Sequence, residues 1–335
     1  MVVNKPHTSS KEEREWDASL RPGTWQDYIG QEKIKNNLRI IIDSAKKRSE
    51  PLEHLLFYGN SGLGKTTLAH VIANEVGVRM KICSGPTIEK SGELASLLTN
   101  LEEGDILFID ECHRVHKSAM EALYSAMEDF KLHILIGKGP MARTMELSLP
   151  RFTLVGATTR LALLPTPLRN RFGAIFQFSF YETDDMEKII KRAANILNIE
   201  IDGETIRTIA SRSRFTPRIA NRILKRVRDF AISKDSSFIT PDIGQQALEF
   251  FEIDQHGLEP GDRKILETII TKFSGGPVGI QALAAATSEE QDAILDIYEP
   301  YLLRLGFIER TPRGRVATRL AYQHLGMPTL RKELI

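Results

Sequence analysis

Residues 59–66 read Gly59-Asn60-Ser61-Gly62-Leu63-Gly64-Lys65-Thr66, an unbroken G-x-x-x-x-G-K-[ST] phosphate loop. Its residue types dictate the chemistry. Glycines let backbone N–H groups close around phosphate oxygens, the lysine reaches the β- and γ-phosphates, and the neighbouring hydroxyl can ligate Mg²⁺. The loop follows the apolar run His54 to Tyr58 and opens into Thr67-Leu68-Ala69-His70-Val71-Ile72-Ala73, so it occupies a strand-to-helix turn. A turn that only separated strand from helix would not need this spacing. Asp110 and Glu111 form the second group, after the apolar residues Ile106 to Ile109. They emerge at the C-terminal end of a buried strand, where open parallel sheets bind ligands. Asp110 is placed to hold Mg²⁺ through water, and Glu111 to orient and deprotonate the water that attacks the γ-phosphate. Alone, the pair would equally suit an acidic helix N-cap; the upstream loop favours catalysis.

Two further stretches point at the same edge. Gly156-Ala157-Thr158-Thr159-Arg160 ends a strand with two hydroxyls, either of which can sense the γ-phosphate. Arg169 and Arg171 precede the next strand at the expected rim of the domain, where a planar guanidinium can act on a neighbour's nucleotide. Thr216-Pro217-Arg218 opens a later helix, from which Arg218 can fold onto the nucleotide and couple its state to domain rotation. Taken singly, each of these arginines reads as a solvated surface residue. His113 and His116 lack a third ligand at metal spacing and read as helix-surface histidines. Cys83 and Cys112 form no C-x-x-C pair and read as buried thiols of a reduced, cytosolic protein.

Short apolar runs alternate with helical patterns from Leu52 to Phe180, which predicts an α/β domain with a parallel sheet flanked by helices. Its strands are expected at residues 54–58, 78–82, 106–109, 152–157 and 175–180. Residues 131–149 break the rhythm with two apolar stretches around Gly137, Gly139 and Pro140, and predict a hairpin inserted before the fourth strand. After Tyr181 the pattern is helical at 186–197, 203–212, 217–232 and 241–250, a small all-α domain. From Ile253 onward, three helical runs precede a short hairpin around Pro312-Arg313-Gly314, a winged-helix pattern. The boundaries expected are a flexible arm at 1–19, a large domain at 20–181, a small helical domain at 182–252 and a winged-helix domain at 253–335.

Charged residues make up 27% of the 335 and hydrophobic residues 41%, with no apolar run long enough to cross a bilayer and no signal-peptide core. Net charge is only +1, so affinity for a polyanion must be local. Residues 301–335 supply it: Arg304, Arg310, Arg313, Arg315, Arg319, Arg331 and Lys332 face only Glu309 and Glu333.

In order, LRPGTWQDYIGQ, GNSGLGKTT, LFIDECHR, AMEDF, GATTR, PLRNRFG, TPRIANR, GGPVG, YEPYL and RTPRGRVAT resemble the RuvB family, bacterial AAA+ motors of Holliday-junction branch migration. The likeness runs from about Leu20 to Gly326. It implies a P-loop AAA+ ATPase domain, an AAA+ lid and a winged-helix head, assembled as a homo-hexamer that uses ATP and Mg²⁺ and yields ADP. Leu20, Arg21, Tyr28 and Ile29 would border the adenine, with Tyr181 and Pro217 closing the pocket. Gly62, Gly64, Lys65, Thr66 and Thr67 would hold phosphates and metal, with Asp110 and Glu111 as the Walker B pair. Thr159 would be the first sensor, Arg218 the second, and Arg171 a finger acting in trans. Glu128, Asp129 and Phe130 would lie near the nucleotide. Arg310, Arg313 and Arg315 would touch phosphates of double-stranded DNA, the hairpin 131–149 would engage RuvA, and RuvC would join during recombination and repair. No membrane partner is implied.

The chain departs from the family pattern at three places: Asn60-Ser61 for two prolines, Cys112 for an aliphatic residue, and Phe215 where glycine is common. The first two leave the chemistry intact, because the loop binds through its backbone and cysteine is a small apolar substitute. Phe215 would be strained if its backbone needed a positive φ, and could reset Arg218. Two other classes compete with a motor: a clamp-loader-like switch on DNA, and a sequence-reading regulator. The regulator fits poorly, because residues 289–305 carry Glu289, Glu290, Asp292, Asp296 and Glu299, which phosphates repel.

Overall fold

The computed structural model describes residues 19–136 and 143–328, so the expected arm (apart from Ser19), the hairpin tip and Arg331 and Lys332 lie outside the described residues. The chain divides into two compact units, one ending at Tyr181 and one starting at Glu182. No helix among the described residues is long and apolar enough to cross a membrane.

The first unit opens with α1 (Glu32–Arg48), whose Ile34, Leu38, Ile42 and Ala45 recur at helical spacing and are buried. β1 (Leu55–Tyr58) leads through the phosphate loop into α2 (Lys65–Val76). β2 (Met80–Ser84), α3 (Ser91–Thr99), β3 (Ile106–Asp110) and α4 (Lys117–Asp129) follow. Then β4 (Lys131–Ile136) pairs antiparallel with β5 (Arg143–Ser148), Lys131 opposite Ser148, at the place expected for the inserted hairpin. β6 (Thr153–Thr158), the short α5 (Thr166–Arg169) and β7 (Ala174–Gln177) complete the unit.

The five sheet strands lie in the order β2-β3-β6-β1-β7, all parallel. That order decides the site. With β6 between β1 and β3, the loops after all three open on one edge, so the phosphate loop, Thr158-Thr159 and Asp110-Glu111 become neighbours. The strands in the middle are buried on both faces, as their unbroken apolar runs require: Leu55, Leu56, Phe57, Leu107, Phe108 and Ile109 are fully enclosed. Each such side chain contributes roughly 1.5–3 kcal/mol by leaving water.

The second unit begins with α6 (Thr183–Ile196), β8 (Glu200–Ile201), α7 (Gly203–Arg212), α8 (Pro217–Ser233), β9 (Phe238–Ile239) and α9 (Pro241–Phe250). The expectation of an all-α unit needs one correction, since β8 and β9 pair in parallel over two residues. α10 (Pro260–Lys272) and α11 (Ile280–Thr287) follow. α12 (291–304) starts as Gln291–Ala293, passes through a π-helical turn at Ile294–Tyr298 and resumes as Glu299–Arg304. Pro300 has no N–H to donate to the carbonyl four residues back, which accounts for the shift of register beside it. β10 (Ile308–Thr311) and β11 (Gly314–Ala317) form the antiparallel wing, and α13 (Arg319–His324) comes last. A cluster including Leu258, Leu266, Ile269, Leu302, Phe307 and Ala321 is the core of this part.

Candidate nucleotide site and basic wing

The phosphate loop owes its shape to glycine. Gly64 has φ 93°, and a Cβ there would come within 2.8 Å of the Tyr28 hydroxyl oxygen. The buried ammonium of Lys65 spans the loop, donating to the carbonyls of Gly59 at 2.7 Å and Asn60 at 2.8 Å. Thr66 and Thr67 sit in the first turn of α2, where the helix dipole favours anions. Tyr28 and Tyr181, both buried, lie against this loop. Tyr28 Oη is 3.4 Å from the Gly64 carbonyl, and Tyr181 Oη is 3.3 Å from Tyr28 Oη and 3.2 Å from the Leu63 carbonyl. Burial, then the neighbouring Tyr181, pushes Tyr28 well above the usual tyrosine range, so it stays a neutral hydroxyl. Leu20 is buried, Ile29 half-buried, and Arg21 Nη1 is 2.8 Å from His70 Nε2.

Glu111 is the best-held catalytic candidate. Its backbone is left-handed, with φ 47°, which turns it out of β3. Its Oε2 accepts from the Thr159 hydroxyl at 3.0 Å and the Thr159 N–H at 3.2 Å, and lies 3.1 Å from His113 Nδ1. Burial raises its pKa, but the contacts with His113 and Thr159 outweigh this and hold it below the ordinary value. The carboxylate is therefore ionised and aimed. Asp110 Oδ1 accepts from the Glu111 N–H at 3.1 Å. His113 corrects the sequence reading: it is no surface histidine, its side chain being 7% exposed and its Nδ1 lying 2.8 Å from the Thr158 hydroxyl. The shape of the turn between β3 and α4, invisible in a spacing argument, puts it there. His116 does lie at the surface, capping α4. Among the described residues no cluster of His, Cys, Asp and Glu could hold a metal by itself.

Arg171, expected at the rim, has a side chain that is 28% exposed. It pairs with Glu128 at 2.6 Å, donates to the Pro167 carbonyl at 2.8 Å and lies 5.1 Å from the Tyr124 ring centroid. Its buried Nε has no hydrogen-bond partner among the described residues. Asp129 is exposed beside Glu128, whereas Phe130 packs on Phe152 at 5.9 Å. Cys83 and Cys112 are unpaired thiols whose pKa burial raises.

In the second unit, Pro217 starts α8 and Arg218 is exposed on its first turn. Just before them, Arg214 and Phe215 have φ of 53° and 54°, so the left-handed condition is met at two residues in succession. Packing holds them there. Arg214, 4% exposed, grips the fully buried Asp262 at 2.5 Å and donates to the Gly257 carbonyl at 3.0 Å. The Phe215 ring lies 4.5 Å from the Arg304 guanidinium and 6.5 Å from Tyr301. Sequence reasoning missed this anchor because its members are scattered between residues 214 and 304.

The wing presents Arg310 and Arg315 directly opposite each other, with Arg313 exposed at the turn. Gly314 permits a close approach: its φ is 136°, and a Cβ would come within 2.3 Å of the Val278 carbonyl, which pairs with Arg315 across a third backbone segment.

Comparison with known proteins gives one answer along the chain. Residues 20–178 match the family model described as Holliday junction DNA helicase RuvB P-loop domain, 181–254 the RuvB AAA lid domain, and 255–326 the RuvB C-terminal winged helix domain. The Holliday junction branch migration complex subunit RuvB of Dehalococcoides mccartyi is 57% identical over 93% of this chain and 89% of its own. That of Chloroflexus aurantiacus is 55% identical over 98% and 93%. The solved RuvB Holliday junction branch migration motor of Thermotoga maritima superposes with a TM-score of 0.86 at 47% identity, over 92% of this chain and 99% of its own.

Proposed function

The chain belongs to the RuvB family of Holliday-junction branch-migration motors, and we propose that it moves four-way DNA junctions by hydrolysing ATP at sites shared between subunits of a homo-hexamer. The observation that carries this is Glu111, ionised and held by Thr159 on the sheet edge from which the phosphate loop also opens. A carboxylate so placed orients water and takes its proton as the γ-phosphate departs.

Gly62, Gly64, Lys65, Thr66 and Thr67 hold the phosphates, and Leu20, Arg21, Tyr28, Ile29, Tyr181 and Pro217 enclose the base. Hard oxygen donors fit Mg²⁺: the Thr66 hydroxyl at the start of α2 and the Asp110 carboxylate at the end of β3 share one edge. The ion supplies neutralisation of charge on the β- and γ-oxygens. Arg171 serves the nucleotide of the adjacent subunit, Glu128, Asp129 and Phe130 lie near the nucleotide, and Arg218 reports from the lid. We divide the chain into an arm at 1–19, an ATPase domain at 20–181, a lid at 182–252 and a winged-helix head at 253–335. The arginines of the wing grip backbone phosphates, which carry no base information and so suit sequence-indifferent movement. RuvA engages at 131–149, RuvC joins the assembly, and the work is done on cytoplasmic DNA.

The test is a synthetic four-way junction incubated with the protein, ATP and Mg²⁺, with and without RuvA. Duplex products that increase with RuvA are expected; steady ATP turnover on an intact junction would contradict the motor and favour a clamp-loader-like switch.

A further inference from the structure

Glu299 is an anomaly in a DNA-binding wing. Its side chain is 1% exposed, it begins the last segment of α12, and it lies beneath a surface meant for phosphates. Its Oε1 accepts from Arg310 Nε at 2.5 Å and from Arg315 Nε at 3.2 Å, while Oε2 accepts from Arg315 Nη2 at 3.1 Å. The two arginines come from strands in register, Arg310 opposite Arg315. Like charges directly opposite on a hairpin repel, and the carboxylate between them removes that cost.

We propose that Glu299 is the positioning residue of the wing, holding Arg310 and Arg315 by their inner nitrogens so that their outer guanidinium edges face the DNA backbone. The inference rests on the reading of the wing as a phosphate grip. Arg310 uses only Nε on Glu299 and is 56% exposed, and among the described residues its terminal nitrogens make no hydrogen bond, which leaves both for phosphate. Arg315, whose side chain is 14% exposed, is bound side-on through Nε and Nη2, and its Nη1 makes no hydrogen bond among the described residues. An arginine free to rotate must be ordered each time it meets a phosphate, whereas these two are ordered in advance. Stability alone does not call for this carboxylate, since apolar packing commonly serves as well as a buried ion pair. The π-helical turn at Ile294–Tyr298 ends at the residue before Glu299 and sets the rotation at which it leaves the helix.

Glu299→Gln keeps shape and removes charge, and is tested in the full chain with RuvA on a four-way junction. The Kd for duplex stays within about threefold of wild type, because the lost negative charge and the lost order act in opposite directions. Product formed per ATP hydrolysed falls at least about fivefold, as two unrestrained side chains slip. Arg310→Lys, a surface change that keeps charge but lacks the fork, lowers product per ATP likewise. In an Arg310→Ala/Arg315→Ala background, Glu299→Gln has no further effect. Wild-type coupling in Glu299→Gln or in Arg310→Lys, or a Glu299→Gln loss undiminished in that background, would overturn the inference. An Arg310→Ala/Arg315→Ala chain that binds duplex and moves junctions normally would instead sink the reading of the wing itself.

Discussion

Lys65 and Glu111 separate binding from chemistry. Lys65→Ala removes the ammonium that spans the loop and is expected to abolish ATP binding in a nucleotide titration. Glu111→Gln keeps the contact with Thr159 but not the base, so ATP binding persists while turnover falls by at least about 10². Loss of binding in Glu111→Gln would mean that its carboxylate builds the pocket rather than activating water. His54 provides a residue-scale test of the core. Its Nδ1 accepts from the Leu154 N–H at 2.9 Å and its Nε2 donates to the Met127 carbonyl at 3.0 Å, which fits only the neutral ring. Burial lowers its pKa below 6.5, against a smaller opposing effect of the Met127 hydrogen bond. The unfolded chain therefore takes up a proton first as pH falls. The stability His54 supplies is complete above pH 6.5 and is lost below it, by up to about 1.4 kcal/mol per pH unit. Urea denaturation near neutral pH and at about pH 5.5 is expected to show a larger loss for wild type than for His54→Gln; equal losses would contradict the assignment.

Among elements, the anchor at Arg214 governs how α8 begins. Removing one partner of a buried ion pair strands the other, so Arg214→Ala is expected to cost about 3–5 kcal/mol in denaturant titration of the full chain. A cost below about 1 kcal/mol would show that Asp262 is reached by water. Much at this scale was legible in advance. The sheet strands announce themselves as short apolar runs between turns, and α7 and α9 start where expected because Asp202 and Thr240 cap them. That the phosphate loop, Asp110-Glu111 and Thr158-Thr159 share one sheet edge was legible too, because motif and strand end coincide there. What escaped is what depends on distant partners. The Glu299 contacts lie 11 and 16 residues away, the contact of His113 with Thr158 spans 45, and Arg214 meets Asp262 across 48. The β8–β9 pair is too short for any periodicity to register. The same limit explains Glu299 being counted only among the acidic residues that argue against base readout.

At the scale of the molecule, 45 basic residues almost balance 44 acidic ones, so affinity for DNA must be local, and the proposed source is the wing. Duplex binding is expected to weaken steeply with salt, and Arg313→Ala to lower the slope of log K against log salt by about 0.9, one phosphate contact. An unchanged slope would remove Arg313 from the grip. The larger claim is that each hydrolysis site is completed by a neighbouring subunit. Arg171, the proposed finger, is partly exposed and has Glu128 as an ion-pair partner. The most direct measurement mixes Arg171→Ala subunits with wild type in increasing proportion and follows duplex release from a four-way junction with RuvA present. Sites shared around a ring predict a loss of activity steeper than dilution, because each altered subunit silences its neighbour's nucleotide. Activity that falls in simple proportion to the wild-type fraction would contradict a finger acting in trans.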